Sequence, residues 1–181
     1  VTQTNEIILS GSGGQGLILA GQILAEAVIR DGKNTVQTQS YGPEARGGAS
    51  KAEVIISNGD IDYPKVTKPN IVLAMSQEAL NRYADKLDSN GTLIVDSTYV
   101  RTADQTGTRM ITAPFSRLAK ESLGKEMVAN VVALGALAAI TGVVSLDSLK
   151  QALLSRVPPG TENLNKKALE LGWKSARQAA A

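Results

Sequence analysis

Ile7-Ile8-Leu9-Ser10-Gly11-Ser12-Gly13-Gly14-Gln15-Gly16-Leu17-Ile18-Leu19-Ala20 is the stretch that decides the fold. A short apolar run meets a glycine cluster. Beyond it Leu17, Ile18, Leu24, Ala25, Val28 and Ile29 recur at helical spacing as far as residue 30. The pattern is strand, glycine turn, helix. Asp31-Gly32-Lys33-Asn34 then supplies turn chemistry, and residues 35–38 have the β-branched, alternating character of a second strand. The chain is therefore predicted to open with a βαβ unit.

Outward from this unit, a second glycine-rich loop, Tyr41-Gly42-Pro43-Glu44-Ala45-Arg46-Gly47-Gly48, leads into a strand over residues 49–57, in which Lys51 and Glu53 mark a wetter end. Pro69 precedes Ile71-Val72-Leu73-Ala74-Met75, an apolar run of the kind found in a strand covered on both faces. Ser76 is placed to cap a helix, with Glu78 in its first turn, that runs to about residue 88 before Asn90-Gly91 stops it. Strands over 92–96 and 109–113 follow, the latter ended by Pro114. The last third reads as helices over 116–123, 127–141, 146–156 and within 162–178, with Pro158-Pro159-Gly160 separating the final two. Strands alternating with helices, then helices alone, predict an α/β fold: a mostly parallel, Rossmann-like sheet wrapped by helices, with a helical C-terminal third. The length of 181 residues suits one domain over 1–181.

The composition narrows the chemistry. The chain contains no cysteine and no histidine. Thiolate nucleophiles, cysteine-ligated zinc or iron–sulfur clusters and the Ser-His-Asp triad are excluded within it. Lys plus Arg is 19 against 17 for Asp plus Glu, so the net charge of +2 makes no electrostatic case for nucleic acid. Aromatic content of 3% is too low for base-stacking platforms. The longest apolar stretch, 131–144, is interrupted by Thr141 and two glycines and is shorter than the roughly 20 residues of a membrane span; it reads as a buried helix. No signal-like segment opens the sequence, and a cytoplasmic location is the default expectation.

Gly11, Gly13 and Gly16 satisfy GxGxxG between a strand and a helix. Glycines permit a tight turn with positive φ and remove side chains that would hold a phosphate away from the N–H groups at the helix start, where the macrodipole places about half a positive charge. Anion or nucleotide binding is one reading; close helix-to-strand packing with no ligand is the other. A dinucleotide site uses an acidic residue about 20 residues past the motif. Thr35-Val36-Gln37-Thr38-Gln39-Ser40 offers none, so NAD is disfavoured. No GKS or GKT follows, so a P-loop is unsupported.

In the second loop Gly47-Gly48 can expose backbone donors, and Arg46 offers a forked cation for phosphate or carboxylate. Glu44 and Arg46 can equally pair with each other or with another subunit. Asn130 opens an apolar helix with Gly135 and four alanines among its next positions. Its plainest role is an N-terminal cap. The small residues favour close packing of a further helix, and the apolar surface hints at an extensive subunit contact. Asp96 is read as capping the turn after its strand, Asp60, Asp62 and Tyr63 as a solvated loop, and Lys65 and Lys68 as surface charges. No catalytic or metal-binding set emerges.

In order and wording, Gly11-Ser12-Gly13-Gly14-Gln15-Gly16, Ser40-Tyr41-Gly42-Pro43-Glu44-Ala45-Arg46-Gly47-Gly48 and Asn130-Val131-Val132-Ala133-Leu134-Gly135 resemble the gamma subunits of 2-oxoacid:ferredoxin oxidoreductases over essentially the whole chain. The second loop is most like that of the 2-oxoglutarate type (2-oxoglutarate synthase). Pyruvate, branched-chain 2-oxoacid and indolepyruvate types are the related alternatives; a stand-alone nucleotide- or flavin-binding Rossmann-like protein is the unrelated one. The resemblance implies conversion of a 2-oxoacid and coenzyme A to acyl-coenzyme A and CO2, with electrons passed to ferredoxin. It implies partner alpha and beta subunits, with a delta subunit in some complexes, and a homo-oligomer when isolated. Thiamine diphosphate with Mg and the iron–sulfur clusters are expected on those partners. The gamma chain is expected to serve assembly and the coenzyme A side of the site, and to hold no cofactor alone. Ligand or interface positions carried over are Gly11, Ser12, Gly13, Gly14, Gln15, Gly16, Tyr41, Gly42, Glu44, Arg46, Gly47, Gly48 and Asn130.

Overall fold

A computed structural model describes residues 3–40, 49–101 and 109–179. In chain order the elements are β1 (Thr4–Ser12), α1 (Leu17–Arg30), β2 (Asn34–Ser40), β3 (Ala49–Ser57), β4 (Ile71–Ala74), α2 (Gln77–Tyr83), β5 (Thr92–Asp96), β6 (Arg109–Ala113), α3 (Phe115–Leu123), α4 (Ala129–Thr141), α5 (Leu146–Leu154) and α6 (Glu162–Ala179). The strands form one sheet in the order β2-β3-β1-β4-β5-β6. β1, β4, β5 and β6 pair in parallel, while β3 runs antiparallel to both β1 and β2. The fold is thus α/β and mostly parallel, with one strand reversed.

That reversed strand corrects the opening βαβ unit. β1 and β2 point the same way, but β3 lies between them. Only eight residues separate β2 from β3. Parallel pairing needs a crossover of roughly a dozen residues or more, whereas antiparallel pairing does not.

Alternation along each strand divides the core. Ile7 and Leu9 of β1, with Val54, Ile56, Leu73 and Ile94, face α1 and the helices α3 to α6. Ile8, Val72, Ala74, Leu93 and Val95 face the other way, onto α2. Helices therefore cover both faces, which is why β4 and β5 are continuous apolar runs. Ser76 caps α2 as its sequence suggested, its hydroxyl accepting from the Ala79 N–H at 3.2 Å. The helix ends earlier than residue 88, tightening into a 3-10 turn at Ala84–Lys86.

α4 is buried from Ala129 through Ala138. Its cover comes from within the chain, chiefly from α6, so its apolar surface does not mark a subunit contact. A Cβ on Gly135 would stand 2.3 Å from the Leu169 carbonyl oxygen, and one on Gly172 would stand 1.8 Å from that of Val132. The two helices meet backbone to backbone through these glycines. Among the described residues no helix is long and apolar enough to cross a membrane.

Candidate functional site

β1 runs further than its apolar run suggested, through Gly11 and Ser12, which pair with Ser50 and Ala49 of β3. These two are strand residues, so the turn itself is confined to the four that follow. Left-handed backbone occurs at Gly14 (φ 86°) and Gly16 (φ 74°). Gln15 fixes the loop from inside: its Oε1 accepts from the Ser12 N–H at 2.6 Å, and its Nε2 donates to the Met75 carbonyl at 3.2 Å. The loop is thereby tied to the end of β4, where the Met75 N–H also donates to the Ser10 carbonyl at 2.9 Å.

Gly16 is the N-cap of α1 and is fixed from the opposite side by Asn130. The Asn130 Nδ2 donates to the Gly16 carbonyl at 3.0 Å, and a Cβ on Gly16 would lie 2.5 Å from that nitrogen. This replaces the expected capping role. The cap position of α4 is Val128, and Asn130 lies within the helix, 5% exposed, directed at another element. An asparagine between a valine-rich run and a 3-10 turn resembles a cap in sequence because the partner is so distant along the chain.

α1 packs on one face of the sheet and α2 on the other, so the chain diverges at the carboxyl ends of the neighbouring strands β1 and β4. Such a divergence opens the crevice in which open α/β sheets take ligands. A cavity of about 280 Å³ lies there. Gly14 and Gln15 line it from the loop, Met75 from beyond β4, Ser116 from the start of α3, and Glu126, Met127 and Ala129 from the turn that begins α4. The sequence singled out the loop residues but not the other five, which have ordinary side chains and converge only through the fold. Met127 is 79% exposed despite its apolar side chain, so the mouth is open.

The helices differ in how their N-termini are satisfied. α2 and α5 are capped by Ser76 and Ser145. At α3 the Ser116 N–H donates to Asp96 Oδ2 at 3.2 Å, and the Arg117 N–H donates to Thr98 Oγ1 at 3.1 Å. α1 has no side-chain cap, nor does α4 or the 3-10 turn Glu126–Val128 that leads into it. These uncapped ends are the ones on the cavity. With no side chain capping them, the partial positive charge of the two helix dipoles there favours a negatively charged ligand group.

Asp96 performs the capping its position suggested, and more. Oδ1 accepts from the Thr98 N–H at 3.0 Å, and Oδ2 accepts from the Ser116 hydroxyl at 2.6 Å. Fully buried, it joins β5 to α3 and acts as a brace. Beside it the Tyr99 hydroxyl donates to the Glu126 carboxylate, and that hydrogen bond, with partial burial, raises the phenol above its usual range. A second cavity of about 380 Å³ shares Ser116 and Glu126 with the first and is otherwise lined by Thr98, Tyr99, Arg117, Lys120 and Glu121. Among the described residues no group of three or more His, Cys, Asp or Glu side chains is placed to hold a metal. Tyr41, Gly42, Glu44, Arg46, Gly47 and Gly48 lie outside the described residues.

The arrangement suits an anionic ligand, and the Ser116 hydroxyl on its wall is held by Asp96 as part of the brace between β5 and α3. The sheet departs from a dinucleotide fold, in which β2 adjoins β1 and carries the ribose-binding carboxylate; here β3 occupies that place.

The model of the family described as pyruvate ferredoxin/flavodoxin oxidoreductase matches residues 6–175. The chain is 48% identical over 181 residues to the 2-oxoglutarate synthase subunit KorC of Methanocaldococcus jannaschii, covering 98% of this chain and 97% of that protein. With the KorC subunit of Methanothermobacter marburgensis identity is 51% over 174 residues, 92% of this chain and 94% of that one. Among solved structures, the gamma subunit of a keto/oxoacid ferredoxin oxidoreductase from Geobacter sulfurreducens superposes with a TM-score of 0.88 at 48% identity, covering 96% of this chain and 99% of that one. With a family match over nearly its whole length and full-length relatives at about half identity, the chain belongs to the pyruvate ferredoxin/flavodoxin oxidoreductase family.

Proposed function

We propose that this chain, as one domain over 1–181, is the gamma subunit of a 2-oxoglutarate:ferredoxin oxidoreductase, which converts 2-oxoglutarate and coenzyme A to succinyl-coenzyme A and CO2 while reducing ferredoxin. The KorC relatives support the substrate. The observation that carries the chain's own part is the cavity between the uncapped starts of α1 and α4, which suits the diphosphate of coenzyme A. Gly14 and Gln15 line it, Asn130 fixes the adjoining Gly16 at the start of α1, and Gly11, Ser12 and Gly13 lead the strand into the loop. Tyr41, Gly42, Glu44, Arg46, Gly47 and Gly48 are assigned to the ligand or to a partner chain.

Without cysteine the chain supplies no thiolate for an iron–sulfur cluster. The clusters, and thiamine diphosphate with its Mg, belong to the alpha and beta partners, and electrons leave through them to ferredoxin. This chain's contribution is to hold and orient the acyl acceptor. The purified chain is expected to show no 2-oxoglutarate-dependent reduction of ferredoxin, and activity appears when the partners are added. Turnover by the chain alone would overturn the reading. Arg46→Ala is expected to raise the KM for coenzyme A or weaken assembly; if both are unchanged in the reconstituted complex, the assignment of that loop is wrong.

A further inference from the structure

The second cavity extends the first over the start of α3, through Ser116 and Glu126, and presents two cations. Arg117 and Lys120 stand three residues apart and so lie on one side of the helix. Among the described residues neither side chain has an ion pair, although Glu121 follows Arg117 at the four-residue spacing where one would form. The other carboxylate on this cavity, Glu126, is engaged by the Tyr99 hydroxyl. Two uncommitted cations beside hydroxyl groups of Thr98 and Tyr99 make a recognition surface for a phosphate monoester, with the guanidinium suited to paired hydrogen bonds and the ammonium acting as a point charge.

We infer that Arg117 and Lys120 read the 3′-phosphate of coenzyme A while its diphosphate lies on the glycine loop. This rests on the functional reading above and deepens it. The subsite makes the complex discriminate coenzyme A from 3′-dephospho-coenzyme A, which has the same thiol, pantetheine arm and diphosphate. Both side chains are exposed, so replacing them leaves the packing of α3 on the core intact.

The test is steady-state kinetics of the assembled complex with each acceptor, for the wild type, an Arg117→Gln/Lys120→Gln double variant, and Gln15→Glu. The wild type is expected to have a KM for coenzyme A about tenfold below that for the dephospho form, equivalent to about 1.4 kcal/mol. The double variant raises the coenzyme A value to the dephospho value and leaves the latter within about twofold, a change well below one such tenfold step. Gln15→Glu weakens both acceptors and keeps their ratio. Absence of a preference in the wild type overturns the subsite. So does a preference retained by the double variant, and if Gln15→Glu still weakens both acceptors the reading of the glycine loop stands. No effect from either set of substitutions overturns both.

Discussion

The side-chain amide of Asn130 donates to the main-chain carbonyl of Gly16 at 3.0 Å, joining two residues 114 positions apart. The contact locks the start of α4 to the start of α1, and these two helix ends flank the cavity. The cavity's shape therefore depends on this bond.

Asn130→Ala removes the donor and leaves space beside Gly16. The Gly16 carbonyl keeps its bond from the Ala20 N–H at 3.1 Å, so no acceptor is orphaned. The expected loss is about 1 to 2 kcal/mol of folding stability. Asn130→Asp is expected to be worse, because it sets a carboxylate oxygen against a carbonyl oxygen in a buried place. Urea unfolding of the three proteins at neutral pH ranks them; equal stability for alanine and aspartate would contradict this account.

Gln15 holds the loop from the other side, and it is only part-buried. Gln15→Ala is expected to move the melting temperature little while raising the KM for coenzyme A in the assembled complex by about tenfold, the equivalent of about 1.4 kcal/mol. Gln15→Glu keeps an acceptor for the Ser12 N–H but places a negative charge beside the ligand, so its KM rises further, and more steeply at low salt. A KM that is the same in both variants and indifferent to ionic strength would show that the loop holds no anionic group.

Gly172→Ala is expected to destabilise the chain by about 3 kcal/mol, because its Cβ would press on the Val132 carbonyl oxygen and neither helix backbone can yield locally. Gly124→Ala is the control. There φ is +70° but nothing lies within 4 Å, so only the left-handed conformation is penalised, by about 1 kcal/mol. Chemical denaturation compares the two. If the control is hit as hard, backbone conformation and not helix contact explains both glycines.

Much of this architecture is legible because it is local. β5 occupies Thr92–Asp96 and β6 Arg109–Ala113, where the apolar runs and Pro114 put them, and the Ser76 cap and the Asp96 turn follow from side-chain chemistry within a few residues. The short connection favours antiparallel pairing of β3 with β2, but the place of β3 beside β1 is not legible, because that part of the strand order is decided by global packing and not by any signal within β3. For the same reason Met75, Ser116 and Met127 carry no mark of the cavity they line. Asn130 stands out as a polar residue at the start of an apolar helix, but its partner at Gly16 is invisible to any local pattern.

Acid should act first on the seam between α1 and α5. Asp31 accepts from the Ser145 N–H and hydroxyl, both at 2.7 Å, and from the Ser148 hydroxyl at 2.6 Å. Burial pushes its carboxyl up, but these bonds outweigh burial and hold it below the ordinary 3.8. Glu26 is likewise pushed up by burial and held below 4.5 by bonds from Arg30, Ser155 and Arg156. The folded state then binds fewer protons than the unfolded chain, so both groups stabilise fully above those ordinary values. That stability is lost as pH falls below about 4.5 and on through the depressed folded values. An Asp31→Asn/Glu26→Gln variant is expected to be less stable than the wild type at pH 7 and to lose less on acidification. Unfolding midpoints in urea from pH 7 to pH 2.5 should therefore converge; midpoints that fall in parallel would place the acid sensitivity elsewhere.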